Sequence, residues 1–101
     1  MAKYTRIEVI NKMIDSGMVP LFYHSDIEVA KNVLKACYRG GSRLLEFTNR
    51  GDFAIEIFKN LNKFAQKELP GMILGVGSVT NSSSASQYIL AGANFVITPV
   101  F

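Results

Sequence analysis

Four short apolar segments punctuate the 101-residue chain: Met18–Tyr23, Arg43–Thr48, Met72–Val76 and Phe95–Thr98. Each is preceded by a stretch with helical spacing of apolar residues. The segments start about 25 residues apart, the size of a βα unit with its crossover helix. Strands that are apolar almost throughout, and are joined by helices, imply a parallel sheet covered by helices or closed into a barrel. The expectation is therefore an α/β fold, with helix and strand alternating four times. Residues 1–101 are enough for one small domain with its own core.

The helix ends are marked. Thr5 and Glu8 have the spacing of a capping box, as do Ser25 and Glu28. Ile7, Ile10, Met13 and Ile14 set the inward face expected of the first helix, which Gly17 stops. Ile27, Ala30, Val33, Leu34 and Cys37 set that of the second, closed by Gly40 and Gly41. Asp52 precedes a third helix with Ala54, Ile57, Phe58, Leu61 and Ala65 inward, closed by Pro70 and Gly71. Asn81 and the run Ser82–Ser84 offer caps for a short fourth helix, which Gly92 ends. Pro20 predicts an early or irregular place in the first strand.

Composition removes several function classes. Hydrophobic residues make up 49%, which excludes disorder, and the basic residues behind the net charge of +3 are spread out rather than clustered. Lys59, Lys63 and Lys67 share a helical face with Glu56 and read as solvated surface rather than a nucleic-acid footprint. Cys37 is the sole cysteine and His24 the sole histidine, so neither a disulfide nor a Cys/His metal site is expected. Cys37 reads as packing and His24 as a surface-loop residue. No apolar run is long enough to span a membrane, and the first ten residues lack a signal-peptide core. A cytoplasmic protein is expected.

One segment carries most of the chemistry. In Leu44-Leu45-Glu46-Phe47-Thr48-Asn49-Arg50-Gly51, strand alternation puts Leu44, Glu46, Thr48 and Arg50 on one face and Leu45 and Phe47 on the other. A carboxylate, a hydroxyl and a guanidinium would then line one wall, with the cation at the strand's C-terminal end. Catalytic groups of parallel barrels lie at that end. Arg50 could grip a carboxylate or phosphate through two parallel hydrogen bonds. Glu46, set deeper, could move protons at a carbon beside a carbonyl. An internal ion pair from Glu46 to Arg50 or Arg43 is the structural alternative. Gly75-Val76-Gly77-Ser78-Val79-Thr80 adds glycines that let a ligand approach the backbone, and two hydroxyls. A dinucleotide fingerprint would need a third glycine and a later acid, and no charged residue follows Glu68. A plain glycine-rich turn before a helix is the other reading. Thr98-Pro99 could shape a pocket floor or simply end a strand.

Together these pieces resemble the 2-keto-3-deoxy-6-phosphogluconate/4-hydroxy-2-oxoglutarate (KDPG/KHG) aldolase family. The match runs through Val19-Pro20, Gly40-Gly41, Leu44–Arg50, Leu74–Val79 and Ala91–Pro99. The combination L-E-x-T-x-R followed by G-x-G-[ST]-V is fairly specific, although each piece alone is weak. The resemblance implies a (β/α)8 TIM barrel, usually trimeric, acting in carbohydrate metabolism. It implies a class I aldolase, with neither metal nor cofactor, that splits a 2-keto acid into pyruvate and an aldehyde. A lysine forms a Schiff base with the keto carbon, and a glutamate moves the protons. Glu46 matches the proton-transfer position, and Arg50 and Ser78 match those that hold the pyruvate carboxylate. Ser78 stands where the family commonly has threonine. Thr48, between Glu46 and Arg50, is a further candidate for substrate contact.

The resemblance reaches only about the first half of such a barrel. The family's Schiff-base lysine and most phosphate-binding loops belong to the second half. Lys3, Lys12, Lys31, Lys35, Lys59, Lys63 and Lys67 all fall on the N-terminal tail or on predicted helices. The chain by itself is thus expected to be inactive. From Leu69 to Phe101 there is no charge, and the apolar end at Thr98–Phe101 would leave a bare sheet edge. Two further readings follow: a non-catalytic half-barrel that self-associates, and another phosphosugar barrel enzyme, disfavoured because Glu46 is the one convincing internal acid.

Overall fold

The capping box at the start of the chain forms as its sequence predicts. Thr5 N–H donates to Glu8 Oε1 at 2.9 Å, and Glu8 N–H donates to Thr5 Oγ1 at 3.2 Å. This opens the first helix of a computed structural model that describes residues 2–99. The elements are α1 (Arg6–Ser16), β1 (Leu21–Phe22), α2 (Ile27–Arg39), β2 (Leu44–Thr48), α3 (Ala54–Glu68), β3 (Ile73–Gly77) and α4 (Ser82–Leu90). The three strands form one parallel sheet in the order β1-β2-β3. Among the described residues, no helix is long and apolar enough to cross a membrane.

The sheet has two unlike faces. Leu45, Phe47, Leu74 and Val76 point to the side covered by α2, α3 and α4. There they join Ala30, Leu34, Phe58, Leu61, Ala65 and Tyr88 in the main core. Phe58 packs edge-on against Tyr88, with ring centroids 5.4 Å apart. On the opposite face, Leu44 and Ile73 meet Val9 of α1, with Phe95, Met13 and Val19 beside them. The alternation read from the sequence thus separates the two layers correctly.

Several details depart from expectation. Asp26, rather than Ser25, caps α2: its carboxylate accepts from the N–H groups of Glu28 (2.8 Å) and Val29 (3.4 Å). A charged acceptor at a helix N-terminus interacts with the dipole as well as with the free N–H groups. Helix α1 is turned away from its expected face. Val9 is buried and Met13 packs beside it, while Ile7 and Ile14 are 70% and 72% exposed. The helix has two apolar faces, and the sheet takes the one that fits between Leu44 and Ile73. The first strand shrinks to Leu21–Phe22 because Pro20 has no N–H to donate. Pro20 instead offers its carbonyl to Glu46 N–H at 2.9 Å.

The fourth strand expected over Phe95–Thr98 is reduced to a bridge between Val96 and Val76. Hydrogen bonds still run from Asn94 N–H to Leu74 O (2.9 Å), Val76 N–H to Phe95 O (3.0 Å) and Ile97 N–H to Val76 O (2.8 Å). Past Ser78, whose φ is 59°, a longer bond from Val79 N–H to Ile97 O (3.4 Å) continues the contact. The bare edge expected over Thr98–Phe101 lies partly outside the described residues. Asn94 ties three segments together. Its Oδ1 accepts from the N–H groups of Lys3 and Tyr4, both at 3.0 Å, and its Nδ2 donates to Leu74 O at 3.0 Å.

Candidate active site

Two glycines of β3 hollow out the α1-side face of the sheet. The register sets Glu46 beside Gly75 and Thr48 beside Gly77. A β-carbon at Gly75 would collide with the Phe95 ring, and one at Gly77 would collide with the Glu46 carboxyl. The ring and the carboxyl therefore lie flat across a neighbouring strand that offers only backbone. The Glu46 side chain leans toward the C-terminal end of the sheet, over Gly77.

Glu46 is half-buried, and burial pushes its carboxyl above the usual range. Among the described residues it forms no ion pair; the two pairs found there are Lys31–Glu28 and Lys59–Glu56. Arg43, offered as a partner from the sequence, is engaged elsewhere. Its guanidinium lies 3.8 Å from the centroid of Tyr38 and donates to the carbonyls of Tyr38 and Ser42, both at 2.9 Å. An unpaired, desolvated carboxyl of this kind favours a proton-transfer group over a structural strut.

Thr48 is 3% exposed, and its Oγ1 has no hydrogen-bond partner among the described residues. A buried hydroxyl without a partner is costly, so it marks a place where a ligand or water can bond. Arg50 lies beyond the end of β2, exposed to solvent, and so is freed from the strand alternation that the sequence suggested. Ser78 is exposed at the corresponding end of β3. Thr80 is also exposed, and so is His24, whose Nδ1 accepts from Asp26 N–H at 3.0 Å.

Asn49, not singled out from the sequence, links the ends of β2 and β3. Its N–H donates to Gly77 O at 2.9 Å and its Nδ2 approaches Ser78 O at 3.5 Å. Its Oδ1 accepts from the Tyr88 hydroxyl of α4 at 2.8 Å. Tyr88 is 2% exposed, and burial, with a smaller effect of Tyr23, pushes its phenol up to about 12. A polar residue directly before Arg50 was the available signal; its partner, 39 positions away, was not visible.

A family model for KDPG and KHG aldolase matches residues 9–101. The chain belongs to the KDPG and KHG aldolase family. A 2-dehydro-3-deoxy-phosphogluconate aldolase of Pseudoalteromonas atlantica is 31% identical over 99 residues, covering 98% of this chain and 44% of the relative. A 2-keto-3-deoxy-6-phosphogluconate aldolase structure from Zymomonas mobilis superposes with a TM-score of 0.70 at 34% identity, over 82% of this chain and 38% of the other. A Legionella pneumophila KDPG aldolase, solved with pyruvate captured as a covalent carbinolamine, gives 0.71 at 30%, over 82% and 38%. The chain thus spans less than half the length of these relatives, and its α/β fold is part of a TIM-barrel-like architecture.

Proposed function

We propose that the protein carrying this chain is a class I aldolase that cleaves 2-keto-3-deoxy-6-phosphogluconate or 4-hydroxy-2-oxoglutarate to pyruvate and an aldehyde. The observation that carries this reading is the Glu46 carboxyl, desolvated, without an ion pair and laid over Gly77 at the C-terminal end of the sheet. The carbinolamine captured in the Legionella relative supports an amine as nucleophile.

In this reading a lysine amine adds to the keto carbon and loses water to give an iminium. The C3–C4 bond breaks as Glu46 takes the proton of the C4 hydroxyl, directly or through water, and the electron pair flows into the iminium. The aldehyde leaves, the enamine takes a proton at C3, and hydrolysis frees pyruvate and the lysine. Arg50 and the Ser78 hydroxyl hold the substrate carboxylate, and the Thr48 hydroxyl bonds the substrate or its water. The lysines described here lie on α1, α2, α3 or the N-terminal tail, none of them on a strand. The nucleophile is accordingly assigned outside this chain, and residues 1–101, read as a single barrel-half domain, are expected to be inactive alone. We assign the whole protein to the cytoplasm, as a homotrimer, on family resemblance.

The test is Glu46→Gln in the complete protein. Turnover should fall about 100- to 10,000-fold, while borohydride still traps pyruvate on the protein. Full turnover in the variant would sink the assignment. A second reading, a non-catalytic half-barrel that self-associates, draws on the exposure of Ile7 (70%), Ile14 (72%), Met18 (64%) and Leu21 (60%). It predicts dimers of the 101-residue chain and no pyruvate release from any form of the protein.

A further inference from the structure

Arg50 and Ser78 stand on different strand ends, and neither is held by its own strand. Arg50 lies past the last residue of β2. Ser78 occupies the left-handed region with φ of 59°, which a non-glycine residue keeps only when its surroundings enforce it. Asn49 touches both. It is covalently joined to Arg50, and it binds the Gly77 and Ser78 carbonyls through its backbone N–H (2.9 Å) and its Nδ2 (3.5 Å). The remaining acceptor of its side chain is taken by the Tyr88 hydroxyl at 2.8 Å.

Resting on the aldolase reading above, we propose that Asn49 and Tyr88 are positioning residues: a hydrogen-bonded strut from α4 that holds Arg50 and Ser78 at the spacing a substrate carboxylate needs. Tyr88 is a rigid anchor. Its ring is locked edge-on against Phe58 in the main core, 5.4 Å between centroids. Burial keeps its phenol protonated far above neutral pH, so the donor is permanent. The Asn49 amide cannot rotate away without leaving that buried hydroxyl unpaired. The strut joins the ends of β2 and β3 to the helix that follows them, which closes a loop of contacts around the Ser78 turn.

Tyr88→Phe in the complete protein tests this, since it keeps the ring and removes only the hydroxyl; Asn49→Ala is the second variant. KM for 4-hydroxy-2-oxoglutarate and the inhibition constant for pyruvate should each rise about five- to tenfold, with kcat within about twofold of the parent. The double variant should be no worse than the weaker single one, because both break one unit. Amide exchange at 49–51 and 77–79 should speed up in both variants, with α1 unchanged. Faster exchange with an unaltered pyruvate constant would reduce the strut to a purely structural brace and overturn the proposal. Unchanged exchange in Tyr88→Phe would overturn the strut itself. A parent protein that neither cleaves 2-keto acids nor binds pyruvate would instead remove the aldolase reading, and the positioning role with it, whatever exchange reports on the strut.

Discussion

The two faces of β2 and β3 are built from alternate residues of the same ten positions, yet they obey different rules. On the helix side, Leu45, Phe47, Leu74 and Val76 are all fully buried and interlock with side chains from three helices. On the other side, Leu44 and Ile73 are sealed by α1 at one end, and beyond them the surface is glycine on β3 facing Glu46 and Thr48 on β2. One face fills its volume with hydrocarbon. The other removes side chains from one strand so that the Phe95 ring and the Glu46 carboxyl can lie across it. Stability should therefore reside on the first face and chemistry on the second.

The largest effect should come from the filled face. Phe58→Ala should cost about 3–5 kcal/mol by denaturant titration, because it empties the centre of the aromatic contacts with Phe47 and Tyr88. Turnover per folded molecule at saturating substrate should stay near that of the parent, although KM should rise because Tyr88 loses its edge-on support. Gly77→Ala should do the reverse. We expect about 1–3 kcal/mol of overpacking cost and about 100-fold loss of turnover, since the new methyl displaces the Glu46 carboxyl. If Gly77→Ala turns over normally, the division between faces is wrong.

A smaller effect is expected at Thr48. Replacing it with Val removes a buried hydroxyl that lacks a partner, so stability should hold or rise by up to about 1 kcal/mol. The KM for the 2-keto acid should nonetheless increase. Equal KM values would leave Thr48 without a role in binding. The smallest effect is the pH response of stability. The Glu46 carboxyl is raised by burial, so between its ordinary and its raised value the folded state holds more proton than the unfolded state. Stability contributed by this group is then present at low pH and falls as pH rises through that window. Glu46→Gln should melt slightly higher than the parent near neutral pH, and the gap should close below the ordinary carboxylate range. A gap that widens on acidification would contradict the raised carboxyl.

Where local pattern decides structure, the sequence was sufficient. The alternation in Leu44–Thr48 assigns both faces of β2, and the periodicity of Ala54, Phe58, Leu61 and Ala65 assigns the buried side of α3. Local pattern failed where two solutions compete at close range. Ser25 and Asp26 are both good caps, and only the chain's path selects the carboxylate. In α1 the expected inward set is Ile7, Ile10, Met13 and Ile14, yet the sheet takes Val9 and only Met13 of that set. Within the candidate site, Glu46 and Thr48 stand out in the sequence by their odd position inside an apolar strand. The carboxyl's support by Gly77 and the bond from Tyr88 to Asn49 depend on register and on separations of about thirty to forty residues, which periodicity does not encode.

The hydrogen bonds of Asn94 have a consequence for biosynthesis. They hold the backbone of Lys3 and Tyr4, 91 and 90 positions away, while also gripping β3. During translation the first helix leaves the ribosome long before its anchor exists. For most of that interval α1 has no seat for Val9. The segment from Lys3 through α1 thus becomes a fixed part of the fold only once residue 94 has cleared the exit tunnel.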